Sequence, residues 1–181
     1  MALMLDFRRG SGWFPLSVLV LLAVCAFLQV SSIRQESQTW DEAIEIASGY
    51  RYLKTGEYHF LLEHPPLGRM VVALPLLLMN PELPVEDPAW GRWRHVRYGA
   101  AFLYRNRVTA DAMLLAARGS TIAMTLALGL ALAMWVRRAF GAPAAILALA
   151  VYVFDPNILA QGRYTKSGLL LTLLCFLACV A

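Results

Sequence analysis

Of the chain's 181 residues, 59% are apolar and only 15% charged, and the mean hydropathy is +0.56. This composition excludes a soluble domain, a disordered chain and a disulfide-stapled secreted scaffold, and it predicts an all-α, polytopic integral membrane protein. Lys+Arg 16 against Asp+Glu 12 leaves a net charge of +4, an excess that arginine pairs beside apolar runs account for with no nucleic-acid partner.

Arg8 and Arg9 precede an uncharged stretch of 24 residues, Gly10 to Ile33. Crossing roughly 30 Å of hydrocarbon takes about 20 residues of helix, so Trp13 to Ile33 reads as a first span. Gln29-Val30-Ser31-Ser32 is a poor cleavage site, which argues for a retained helix rather than a signal peptide. Cys25, Cys175 and Cys179 all lie in apolar runs and read as small hydrophobes.

From Thr39 onward, Ala43, Ile46, Ala47, Tyr50 and Leu53 recur at helical spacing, with Asp41, Glu45, Ser48, Gly49 and Tyr52 opposite. The pattern predicts an amphipathic helix in the membrane interface, acidic side to water, ending at Lys54-Thr55-Gly56. Thr39-x-x-Glu42 is a capping-box pattern, and Asp41 suits the positive end of the helix dipole. The same carboxylates could instead accept a proton late in a displacement.

Glu63-His64-Pro65-Pro66-Leu67 opens a second apolar run, whose 12 uncharged residues from Met70 to Pro81 include Pro75. As a helix it would reach only about 18 Å, too short to cross. Pro81 to Pro88 is rigid punctuation. Beyond it, Trp90, Trp93, Tyr98 and Tyr104 interleave with Arg92, Arg94, Arg97, Arg105 and Arg107, an interfacial belt at headgroup level.

Ala112 to Val136 and Ala139 to about Leu159 read as the second and third spans. Two spans between Arg8/Arg9 and Arg137/Arg138 put both pairs, and the N-terminus, on the cytoplasmic side and the loop 34–111 outside. Ser167 to Ala181 is a fourth apolar run, apolar to its last residue, as in a helix that continues in a longer chain. At the outer end of the third span Pro156 breaks the helix, and Arg163 and Lys166 either snorkel to the interface or face a phosphate. Arg118 is the one charged residue well inside a span.

Taken together, Thr39-Trp40-Asp41-Glu42, Ala47-Ser48-Gly49-Tyr50-Arg51-Tyr52-Leu53, Thr55-Gly56-Glu57-Tyr58, Glu63-His64-Pro65-Pro66-Leu67 and Pro156-Asn157-Ile158-Leu159-Ala160-x-Gly162-Arg163-Tyr164 resemble one family in order and spacing. It is the bacterial phospholipid-carrier-dependent glycosyltransferases, relatives of the protein O-mannosyltransferases and of the lipid A aminoarabinose transferase. The resemblance covers nearly the whole chain, although family members are typically two to three times longer. It implies a GT-C fold in the bacterial inner membrane, with two helices parallel to the membrane in the first external loop. It also implies a polyprenyl-phosphate-linked sugar as donor and a protein or glycolipid hydroxyl as acceptor. By the same resemblance Asp41 is the base, supported by Glu42, and Glu63 and His64 shape the substrate cavity. Basic groups, here Arg163 and Lys166, would stabilise the departing lipid phosphate.

There are departures. Gly168 stands where the family usually has an aspartate, Gln161 where a histidine precedes the Gly-Arg pair, and Glu45 where a histidine follows the Asp-Glu pair. The missing acid bears on activity and on any divalent cation, the only cofactor for which the resemblance leaves room. Two other readings stay open: a truncated, non-catalytic membrane remnant that binds lipid or a partner protein, and a small transporter, which would need facing charges inside the spans.

Overall fold

The computed structural model describes residues 12–61, 65–87 and 94–180, and every regular element among them is helical. In chain order these are α1 (Trp13–Ile33), α2 (Glu42–Thr55), a 3-10 turn (Tyr58–Phe60), α3 (Pro66–Ala73), α4 (Leu76–Met79), α5 (His95–Tyr104), α6 (Ala110–Phe140), α7 (Ala142–Phe154), α8 (Pro156–Arg163) and α9 (Gly168–Val180).

Two helices, α1 and α6, are long and apolar enough to cross a membrane. The third predicted span is instead the pair α7 and α8, bent by 61° at Asp155, and it counts as a span only if the bent pair is one. Pro156 lacks the N–H that would continue α7, while the Asp155 carboxylate accepts from the N–H groups of Asn157 and Ile158 and starts a new helix. α9 has 13 described residues, or about 20 Å at 1.5 Å per residue, short of a full crossing.

The apolar run at 70–81 forms no helix of membrane-crossing length either. It is divided between α3 and the single turn α4, broken at Leu74-Pro75, and α4 stops at Asn80 with φ +46°.

A single seam of α1, running through Phe14, Val18, Cys25, Gln29 and Ile33, faces the other helices. Its opposite face carries Leu16, Leu19, Val20 and Phe27, the last 70% exposed. A helix apolar on all sides needs apolar surroundings, and the exposed Leu147, Val151 and Phe154 of α7 extend the same belt.

α6 ties the molecule together because it serves two cores. Its first turns, through Met113, Leu114 and Ala117, pack on Ala43, Ile46, Tyr50, Leu76 and Phe102 from the segment between α1 and α6. Its later turns, through Leu128, Ala133 and Val136, pack on Phe14, Val18, Leu149 and Val153 of α1 and α7. Between the two cores lies a buried polar layer containing Gln29, Glu42, Arg118, Thr121, Thr125 and Thr165.

The expected helix after Thr39 forms with nearly the expected end, Gly56 closing it in the left-handed region at φ +72°. Its orientation differs from the prediction. Glu45, Ser48, Gly49 and Tyr52, assigned to water, are buried, so α2 is covered on both sides. The reason is Gly49: a Cβ there would overlap the Arg69 carbonyl, and its absence lets α3 lie directly on the polar face. Tyr98, expected in the interfacial belt, is likewise fully buried, tilted against Phe60 at 4.6 Å. Trp90, Arg92 and Trp93 lie outside the described residues.

Candidate functional site

The site starts from an ion pair at the base of the segment between α1 and α6. Arg118 projects from α6 and donates five hydrogen bonds: from Nε and Nη2 to the two Glu42 carboxylate oxygens at 2.8 and 2.7 Å, and to the carbonyls of Ile33, Glu36 and Ser37. Glu42 also accepts from the Thr39 N–H and hydroxyl and from the Thr165 N–H. Half of the predicted capping box is therefore present, with the carboxylate reaching back to Thr39. The rest of that carboxylate's capacity joins the end of α1, the start of α2 and the α8–α9 junction through one buried charge pair.

Burial opposes ionisation of Glu42, but the hydrogen bonds from Arg118, Thr39 and Thr165 prevail and hold its carboxyl below the ordinary 4.5. A carboxyl depressed in the fold contributes stability that is fully present above about pH 4.5 and is lost as pH falls through the lower folded value. Thermal midpoints of the purified protein should hold steady from neutral pH down to about pH 5 and then fall. Glu42→Gln should start lower and show a clearly flatter acid limb; an unchanged limb would assign the acid sensitivity to another group.

With Glu42 held underneath, the neighbouring Asp41 is exposed and faces a cavity of about 1410 Å³. Its polar lining includes Asp41 just before α2 and Glu45 on it, Arg69 on α3, Arg94, His95 and Arg97 at the start of α5, and Asn157, Gln161, Lys166 and Ser167 around α8 and the start of α9. Its apolar lining includes Leu128, Ile158, Leu169, Leu170, Leu171 and Leu174 on α6, α8 and α9, and Ile44, Leu61, Leu67 and Val96 from the segment between α1 and α6. Glu45 is paired with Arg69 at 3.2 Å, both buried, and Arg97 with Asp87 at 3.3 Å. Among the described residues Lys166 and Arg94 have no carboxylate within ion-pair distance. A cavity lined by cations, carboxylates and leucines together suits an amphiphile with an anionic head.

Of the residues expected at the site, Asp41 and Lys166 share this cavity. Glu63 and His64 lie outside the described residues, although their neighbours Leu61 and Pro65 line it. Glu42 is fully buried and bound to Arg118, so its place is beneath the site. Arg163 is not in the lining. It pairs with Glu36 at 3.0 Å and donates to the Ser32 hydroxyl at 2.6 Å, fastening α8 to the end of α1. A carboxylate within ion-pair distance holds it there, and the helix break at Pro156 sets that direction. Glu45, Gln161 and Gly168, where the sequence departs from the resembled pattern, all line the cavity. Among the described residues no three His, Cys, Asp or Glu side chains gather to hold a metal ion.

Sequence reasoning passed over Arg94, His95, Arg69 and the Arg118–Glu42 pair. The last had a readable signal: a lone arginine inside a span requires a partner.

Fold and site define an all-helical chain with apolar helices of membrane-crossing length and an amphipathic cavity beside an exposed carboxylate. Comparison of the chain with protein-family models, curated proteins and solved structures found no match.

Proposed function

We propose that the chain is a membrane glycosyltransferase of GT-C type, which moves a sugar from a polyprenyl-phosphate carrier to a hydroxyl of a protein or glycolipid acceptor. In this reading it sits in the bacterial inner membrane with its N-terminus cytoplasmic and its cavity at the outer face. The observation that supports the reading is that exposed Asp41, the cations Lys166 and Arg94 and the leucines of α9 line one cavity. The carrier's tail lies along the apolar wall and its phosphate near the cations. Asp41 takes the proton of the acceptor hydroxyl as its oxygen bonds to the anomeric carbon, and the bond from that carbon to the phosphate oxygen breaks with inversion. Lys166 and Arg94 stabilise the charge that collects on the departing phosphate.

One observation favours a second reading, a carrier-binding protein without transfer. Position 168, usually an acid in the resembled family, is a glycine with open space around it.

The test is transfer from labelled polyprenyl-phosphate sugars by the full chain in membranes. Asp41→Asn should lower transfer by roughly 10²- to 10⁴-fold while carrier binding stays within about two-fold, since the substitution keeps shape and removes only basicity. Carrier binding with no transfer by the unaltered chain would establish the second reading, and no binding of any carrier would remove both.

A further inference from the structure

We propose that Trp40 is the platform on which the pyranose ring of the donor stacks, an inference that rests on the glycosyltransferase reading. Trp40 is 73% exposed, yet it lines the cavity and directly precedes Asp41. Its backbone is fixed: Thr39 on one side is held by the Glu42 carboxylate, and Glu42 is in turn held by Arg118. The indole is thus a wide apolar surface presented on a rigid support, at the side of the group assigned as base.

Water-facing indole is unfavourable unless something covers it. A pyranose has an apolar face of C–H bonds and a rim of hydroxyls, and an aromatic ring with a polar edge matches both. The cavity supplies partners for the rim in the exposed Asn157 and Gln161, neutral amides that can donate and accept. These groups are well suited to hydroxyls and poorly suited to a phosphate, so the lining offers neutral partners as well as charged ones. A neutral hexose or pentose is the headgroup that this combination fits.

A bare interfacial anchor is the competing role for an exposed tryptophan, and a pair of ligands separates the two. Binding of polyprenyl phosphate and of the same carrier bearing a hexose is measured on the full chain in nanodiscs. Trp40→Ala should weaken the hexosyl carrier roughly 3- to 10-fold more than the bare one, and Trp40→Phe should restore most of that difference. Equal weakening of both carriers, or loss of membrane insertion in place of selectivity, would overturn the platform. The glycosyltransferase reading fails separately, by absence of carrier binding in the unaltered chain. If Asp41→Asn abolishes transfer while Trp40→Ala leaves the ratio of the two affinities unchanged, only the platform is lost.

Discussion

Arg118→Met should destabilise the protein by roughly 3–5 kcal/mol, because it leaves the Glu42 carboxylate buried with its charge partner gone. Both side chains are at most 2% exposed, so water cannot take over the role of either partner. The loss extends beyond the pair. The carbonyls of Ile33, Glu36 and Ser37 lose their guanidinium donors, and the turn between α1 and α2 loses its anchor on α6. Arg118→Lys should recover only a small part, since an ammonium is a point charge and cannot replace a planar fork with five donors. Arg118→Met combined with Glu42→Gln should recover more: the single amide oxygen can still accept from Thr39 or from Thr165, and no charge is left unpaired. The measurement is the thermal midpoint of the purified protein in a fixed detergent. A value for Arg118→Met equivalent to less than about 1 kcal/mol of destabilisation would show that the pair is not the tie we describe.

Gly49→Ala should be the next most damaging change, at roughly 1–3 kcal/mol or more. The added methyl meets the backbone of Arg69, which cannot rotate out of the way as a flexible side chain could. α2 and α3 must therefore separate, and the Arg69–Glu45 pair beside the cavity loosens with them. Carrier affinity should fall together with stability. Gly168→Ala is the control. Nothing lies within 4 Å of a Cβ at that position, so stability should change little. Equal effects from the two substitutions, read as thermal midpoints on the same preparation, would refute the close-approach argument.

Much of the fold was legible one segment at a time. The first helix of membrane-crossing length, the helix ending at Gly56, the shortness of the helices at 70–81 and the break at Pro156 all follow from run length, proline and glycine, which act within a few residues of themselves. The site was legible in part. Asp41 and Lys166 line one cavity, whereas the similar basic residue Arg163 is taken by Glu36. Nothing in the local pattern distinguishes those two cations, because the difference is the position of a carboxylate 127 residues earlier in the chain.

What the sequence by itself determined is the class of surroundings each segment requires: apolar surroundings for α1 and α6, helix ends at proline and glycine, and a carboxylate pair at the start of α2. Only the tertiary structure decided which face of α2 is covered, which of two adjacent acids faces the cavity and which lies beneath it, and which partner takes Arg118. Periodicity reports how apolar a face is, but a polar face can be buried as completely as an apolar one once every charge on it meets its complement. Those complements come from α3, α6 and the α8–α9 junction, so the outcome depends on packing between helices and is set only when they assemble.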